Sequence, residues 1–394
     1  MVVIRGRNRG RNADLGSHPS GHTAVRDTEP VQAPSSRWLF TGADGRMTAY
    51  ATSGAGIVRW TETDRGTFDG PATIEVEGWD GRLSLAGSAE GYVCFAGLRL
   101  SAASGAHHVV FSTQYQTGRP LIDWHDLGRP AAAGTEADDE VVSGPVVVVN
   151  QVSGSVHVLV SLRHGGILRR SRTGDGRWGR WKTVTPQTYP GQLTASMPTG
   201  GPLEVLAVSQ AGSVDRWVGA GGGRFELRDR FGMALADGTQ TALETARKRT
   251  TYLWRYPGDG SLLAWRARSA NDTGGVLPLG GAGGVGRPGV GRAAIGGYDC
   301  TVVAQNGAHG GVEVTAYVTE NEGYGTWWAP LGDPGTPVHA PQPGVDGAGN
   351  LVVAALDGTG SLLMARQDPA QDGLAFGPWS REGTHALSAG AGQR

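Results

Sequence analysis

A short motif recurs along this sequence at a nearly constant interval. Each copy is a small residue, usually glycine, followed by strand-forming side chains. The copies are AGIVRW (55–60), GAHHVV (105–110), GGILRR (165–170), GSVDRW (212–217), GSLLAW (260–265), GGVEVT (310–315) and GSLLMA (360–365). Their first residues are 50, 60, 47, 48, 50 and 50 positions apart. A period of this length indicates similar structural units that bury their apolar faces by stacking on their neighbours.

Further strand signals flank each copy of the motif. An apolar run precedes it across a turn rich in Gly, Asp and Ser, which predicts a β-hairpin, and a weaker strand precedes that hairpin. An aromatic strand follows in most units, at Trp79, Trp124, Trp178 with Trp181, Phe225, Trp327 with Trp328, and Phe376 with Trp379. The fifth unit carries only VLPLGG (276–281) there. Four strands in each of seven units predict an all-β fold, a seven-bladed β-propeller of four-stranded antiparallel blades.

The composition agrees with this architecture and excludes some partners. The chain has 66 Gly and 12 Trp among 394 residues, which is typical of β-proteins with many tight turns. Its formal net charge is −1, so no global field attracts nucleic acid, and we expect no nucleic-acid partner. No apolar run is long enough to span a membrane.

The repeat divides the chain into three parts. We predict a disordered N-terminal tail over residues 1–33, the propeller over 34–385, and a C-terminal tail or closing strand over 386–394. HALSAGAG (385–392) is compatible with either ending. The glycine-rich segment 280–292 predicts a mobile linker. The N-terminal tail of the given sequence has no apolar segment after its charged residues, so it does not resemble a secretion signal. This predicts a cytoplasmic protein and leaves non-classical export open.

Two cysteines, Cys94 and Cys300, fall in apolar strand-like runs of the second and sixth units. Those units are not neighbours in a seven-membered ring, so the geometry disfavours a disulfide between them. We therefore predict two buried free thiols that act as small apolar side chains.

Two patterns invite comparison with a known family. They are Trp124-x-x-Leu127-Gly128 with Trp327-Trp328-x-x-Leu331-Gly332, and the hairpins AGSV (211–214), DGSL (259–262) and TGSL (359–362). With these patterns the chain resembles the PLL-like family of bacterial seven-bladed β-propeller lectins over about residues 36–385. The resemblance implies the propeller fold, sugar sites in the clefts between adjacent blades, and a homo-oligomer.

Sugar binding needs an apolar platform and a few convergent hydrogen-bonding groups. Candidate platforms are Trp60, Trp217 and Trp265 at one position of the repeat, and Trp181, Trp328 and Trp379 on the fourth strands. Candidate donors are Arg59, Arg169 and Arg216. The competing interpretation is that these tryptophans pack between blades. The other blades carry Val110, Arg170, Thr315 and Ala365 at the position of Trp60, which favours few and unequal sites.

Three functions remain open from the sequence. The first is a lectin-like propeller that binds a carbohydrate or another small ligand between its blades. The second is an intracellular tailoring enzyme of the cyclase type with its site at the axial channel, to which His157, Glu204, Asp215 or Tyr252 could contribute. The third is a protein-interaction scaffold. No HExxH, CxxC or GxSxG motif is present, so we assign no catalytic residue and expect neither a metal nor another cofactor.

Overall fold

The computed structural model describes residues 30–64, 66–131, 140–268, 274–371 and 373–383. Seven sheets, each of four antiparallel strands that follow one another in the chain, form a ring of blades. The described residues contain one short 3-10 turn, Glu322–Tyr324, besides the strands. The predicted all-β, seven-bladed propeller is therefore confirmed.

Each blade takes four consecutive strands. Blades 1 and 2 contain β1 (Leu39–Thr41), β2 (Met47–Ser53), β3 (Gly56–Glu62), β4 (Phe68–Glu75), β5 (Trp79–Gly87), β6 (Val93–Leu100), β7 (His107–Gln114) and β8 (His125–Asp126). Blades 3 and 4 contain β9 (Val141–Val149), β10 (Val156–Leu162), β11 (Gly166–Arg172), β12 (Lys182–Thr185), β13 (Thr194–Ser196), β14 (Glu204–Val208), β15 (Ser213–Gly219) and β16 (Phe225–Gly232). Blades 5 to 7 contain β17 (Thr241–Ala246), β18 (Arg249–Arg255), β19 (Leu262–Arg266), β20 (Gly275–Gly280), β21 (Val285–Ile295), β22 (Tyr298–Asn306), β23 (Val312–Val318), β24 (Ala329–Pro330), β25 (Val338–Val345), β26 (Leu351–Asp357), β27 (Leu362–Arg366) and β28 (Ser380–Arg381).

The second strand of a blade shows why the apolar runs are continuous. All seven residues of β10 are buried, and so are all seven of β26. Both faces of such a strand pack against neighbouring blades, so the usual alternation of apolar and polar residues is lost. The recurring motif covers the end of the hairpin turn and the beginning of the third strand in each blade, so its first residue lies in the turn.

The first strand of each blade lies nearest the axis, where neighbouring blades approach one another closely. The contacts between β5 and β9, and between β21 and β25, are examples. The prediction of a mobile linker at 280–292 is wrong, because most of this segment belongs to β21. A Cβ atom at Gly289 would lie 2.0 Å from the Pro341 carbonyl oxygen, so the glycines here allow close packing of two blades.

The prediction that Trp79 lies on the outer strand of blade 1 is also wrong. Trp79 begins β5 in blade 2, and β4 occupies the outer position of blade 1. Its indole N–H donates to the Thr52 hydroxyl at 2.8 Å, so it packs across the boundary between the two blades.

Blade 7 packs directly against blade 1. The Trp38 indole donates to the Ala340 carbonyl oxygen at 3.1 Å, and Arg366 lies 3.3 Å from Glu62. Blade 7 is complete with β25–β28, so no returning strand is part of the ring within the described residues. HALSAGAG, the predicted C-terminal tail and residues 1–29 lie outside the described part of the chain. No helix of the described part is long and apolar enough to cross a bilayer.

Both cysteines are buried free thiols, Cys94 on β6 and Cys300 on β22. Burial raises the pKa of Cys94 to about 12 and also raises the pKa of Cys300. Because the thiolate is the reactive form, we expect neither thiol of the folded protein to react with an aromatic disulfide reagent at about pH 8. Denatured protein should release two equivalents of chromophore. Rapid modification of the folded chain would contradict the burial of the thiols.

Candidate functional site

The tryptophans at the last position of the repeated motif differ in exposure. Trp60 is 0 % exposed and Trp265 is 6 % exposed, so neither offers a ring face to a ligand. Trp217 is half-buried, and its indole N–H donates to the Tyr189 hydroxyl at 2.7 Å. Burial therefore contradicts the expectation that Trp60 and Trp265 are sugar platforms, and their rings serve packing within the core.

The three fourth-strand tryptophans share one contact. Each ring is half-buried, and its indole N–H donates to a leucine carbonyl of the preceding blade. The pairs are Trp181 with Leu127 (3.1 Å), Trp328 with Leu279 (2.7 Å) and Trp379 with Leu331 (2.6 Å). Each acceptor is the leucine of a Leu-Gly pair, so the Trp-x-x-Leu-Gly pattern reflects a hydrogen bond between blades.

The predicted donor Arg216 is already fully engaged. Its Nε and Nη2 donate to Glu204 at 3.0 and 2.8 Å, and its Nη1 donates to Asp229 at 2.6 Å. Burial opposes the charged form, but the hydrogen bonds and charge of Glu204 outweigh it and raise the pKa of Arg216. Arg216 therefore joins strands within blade 4 and has no nitrogen left for a ligand.

Arg59 differs because no carboxylate of the described residues forms an ion pair with it. Its Nη1 donates to the Arg119 carbonyl oxygen at 2.8 Å, and its Nε is buried without a hydrogen-bond partner. The same carbonyl oxygen accepts from Gln114 Nε2 at 2.5 Å. The loop after β7 thus holds the guanidinium at the boundary between blades 1 and 2, with donor capacity unused.

Arg59 lines a cleft of about 340 Å³ between blade 1 and the blade 2 loop at Gly118. Thr61 pairs with Asp69 across β3 and β4, and side chains two residues apart share a face, so Arg59, Thr61 and Asp69 border the same cleft. Asp69 is exposed, and its carboxylate has no hydrogen bond or ion pair with a described residue. The cleft therefore combines an unused donor with an unused acceptor.

The other charged side chains that line this cleft already have partners within the protein. Buried Glu62 accepts from the Met47 backbone N–H at 2.8 Å and from Arg366 at 3.3 Å. Arg46 lies 2.8 Å from Asp44 and 3.7 Å from Asp64, which also lines the cleft. Arg59 and Asp69 are therefore the residues of the cleft best placed to meet a ligand.

A larger hollow of about 640 Å³ lies where blades 2, 3 and 4 meet. Its arginines are neutralised by acids, Arg163 by Glu140 at 2.5 Å and Arg82 by Asp80 at 2.7 Å. This hollow offers fewer unused charged groups than the cleft of blades 1 and 2, although it is larger.

Of the side chains considered for an axial catalytic site, Tyr252 and Glu204 meet, with the Tyr252 hydroxyl donating to Glu204 at 2.9 Å, whereas His157 and Asp215 are bound to other partners. His157 bonds the Ser171 hydroxyl at 2.8 Å in blade 3, and burial lowers its pKa to about 4. Glu204 is held by Arg216, and Asp215 lies 2.7 Å from Arg230. The described residues contain no group of three or more His, Cys, Asp or Glu side chains arranged for a metal ion.

Asp69 is the cleft residue that the sequence did not single out. It lies in a stretch, FDGPATIE, that the repeat pattern does not assign to a strand. The one sequence feature that could have pointed to Asp69 is its position after the third strand of blade 1, where the other units have an outer strand. Its alignment with Thr61 depends on a register shift between β3 and β4.

The sequence itself matches no known family. No protein-family model matches it, and no curated protein matches it. The resemblance to the PLL-like family therefore stays a prediction at the level of sequence.

Several solved structures share the fold of this chain. The chain is similar to the BP39L lectin from Burkholderia pseudomallei, with 16 % identity, a TM-score of 0.64 and coverage of 87 % of this chain and 99 % of the lectin. It is similar to AofleA from Arthrobotrys oligospora (10 % identity, TM-score 0.51, 89 % of this chain and 94 % of AofleA). It is also similar to a putative 6-phosphogluconolactonase from Bacteroides uniformis, with 13 % identity, a TM-score of 0.52 and coverage of 86 % of this chain and 93 % of that protein. Identities this low establish the fold and leave the function to the site.

Proposed function

We propose that the protein is a lectin-like carbohydrate-binding propeller whose site is the cleft between blades 1 and 2. The observation that carries this proposal is the presence of Arg59 and Asp69, both with unused hydrogen-bonding capacity, on one cleft of about 340 Å³. That volume lies within the range of roughly 300–1,000 Å³ typical of small-ligand sites.

The chemistry of the cleft matches a sugar better than an apolar ligand. A carboxylate such as Asp69 can accept hydrogen bonds from two neighbouring hydroxyls, and a guanidinium such as Arg59 donates along fixed directions. Thr61 adds a hydroxyl that can donate or accept. Because no tryptophan ring lines the cleft, the polar groups carry recognition, and stacking contributes little.

The structural neighbours add support at the level of the fold. The BP39L protein is a lectin, and its whole chain superimposes on this propeller. The clefts of this chain are unequal, since Arg216 is neutralised at the position that Arg59 occupies in blade 1. We therefore propose one site per chain and no ring of equivalent sites. The expectation of a homo-oligomer stays untested and would multiply that single site.

Arg59→Gln and Asp69→Asn are expected to weaken glycan binding by about ten- to a hundredfold each, since each removes a charged hydrogen-bonding partner. A glycan array identifies the ligand, and titration calorimetry then gives the affinity and a stoichiometry of about one per chain. Arg177→Gln is the matched control, because Arg177 is exposed and paired with Asp175 in a blade 3 hairpin.

Wild-type affinity in both cleft variants would contradict this location for the site. An absence of binding to every glycan on the array would contradict the carbohydrate proposal itself.

A further inference from the structure

A second cavity, of about 580 Å³, lies on the axis of the ring and shares no lining residue with the cleft of blades 1 and 2. Arg37, just before β1, and Tyr92, just before β6, line one side. Glu244 on β17 and Arg292 on β21 line the other. Blades 1 and 2 face blades 5 and 6 across the ring, so a cavity bordered by all four is axial.

Arg37 carries an unneutralised charge in this cavity. Its Nε donates to the Leu39 carbonyl oxygen at 2.8 Å, and its guanidinium carbon lies 5.4 Å from the centre of the Phe40 ring. Its Nη1 and Nη2 form no hydrogen bond or ion pair with any described residue.

The other charged side chains of the cavity already have partners. They are Arg292 with Asp299 (2.5 Å), Glu244 with the Thr199 hydroxyl (3.0 Å), and Asp346 with the backbone N–H groups of Ala348 and Asn350 (2.9 Å). Arg37 is thus the charged group of the described cavity wall whose terminal nitrogens are unused.

Arg37 is exposed to the open space of the cavity, so its two terminal nitrogens are accessible to a ligand. The planar guanidinium presents two parallel N–H groups that match a carboxylate or a phosphate. Ser88, Gln151 and Glu244 line the same cavity and offer hydrogen-bonding groups for hydroxyls. We propose that the axial cavity binds a small polyhydroxylated anion, a sugar acid or a sugar phosphate, whose oxyanion pairs with Arg37.

The test is titration calorimetry on the full chain with glucuronate, glucose 6-phosphate and neutral glucose as probes. At least one anion is expected to bind with a stoichiometry of about one, and glucose at least about tenfold more weakly. Arg37→Gln should weaken the anion about ten- to a hundredfold. Arg59→Gln is the control and should leave anion binding unchanged. The proposals for the axial site and for the inter-blade site are therefore tested independently.

A stability measurement separates binding from a structural role. Arg37 is exposed and makes one hydrogen bond, to the Leu39 carbonyl oxygen, so Arg37→Gln should leave the melting temperature close to that of the wild type. Arg37→Lys keeps the charge and loses the planar pair of donors, so it should fold and bind the anion severalfold more weakly.

Binding of glucuronate alone would assign a carboxylate ligand, and binding of glucose 6-phosphate alone would assign a phosphate. The proposal is overturned if neither anion binds, if glucose binds equally well, or if Arg37→Gln binds with wild-type affinity.

Discussion

Glu322→Ala is expected to lower the free energy of unfolding by about 3–5 kcal/mol. Glu322 accepts two hydrogen bonds from Arg266, and the side chain of each partner is only 4 % exposed. Arg266 ends β19 in blade 5, whereas Glu322 lies between β23 and β24 in blade 6. Removing the carboxylate breaks a contact between blades and takes two charged hydrogen bonds from a buried guanidinium.

The matched control replaces both partners with apolar side chains. Arg266→Met combined with Glu322→Leu removes both charges of the pair, so this double variant should be much closer to the wild type than Glu322→Ala. Equilibrium unfolding in urea gives the comparison. A Glu322→Ala variant that loses less than about 1 kcal/mol would show that the pair behaves like a solvent-exposed one.

Trp60→Ala is expected to lower the free energy of unfolding by about 3–5 kcal/mol, because it removes a large ring from a closely packed site. Trp60 is fully buried in blade 1. A Cβ atom added to Gly70 would lie 3.2 Å from the Cδ1 atom of Trp60, and one added to Gly383 would lie 3.1 Å from it, so backbone packs against the ring. The surroundings have little room to collapse into the cavity that alanine would leave.

Trp60→Phe is the conservative control for this site. The Trp60 indole N–H is buried without a hydrogen-bond partner, so phenylalanine forfeits no hydrogen bond. It should lose less stability than Trp60→Ala and, when folded, keep wild-type glycan affinity. A folded Trp60→Phe variant that selectively lost glycan binding would restore Trp60 as a ligand platform and contradict its role in packing.

The blades could be predicted from the sequence because their signals are local. A hairpin needs its glycines and its apolar runs at fixed positions, and these recur with the repeat. The prediction for the segment 280–292 fails because glycine-rich composition is shared by linkers and by strands in close contact. The close approach of Gly289 to the Pro341 carbonyl oxygen, which lies in another blade, distinguishes a packed strand from a linker.

The candidate site could be predicted only in part. Arg59 can be recognised as a donor from its place in the repeat, but so can Arg216, which two carboxylates neutralise. Trp60 and Trp217 also share one position and differ in burial. Pairing and burial differ between equivalent positions because neighbouring strands and blades place different residues around each one. Asp69 could not be assigned without the register of β4 against β3.

The most direct test of the proposed site is a crystal structure of the chain with the best-binding glycan from the array. We expect a sugar in the cleft of blades 1 and 2, with hydroxyls within hydrogen-bonding distance of Arg59 and Asp69. A sugar stacked instead on Trp181, Trp328 or Trp379, with the cleft of blades 1 and 2 empty, would contradict it.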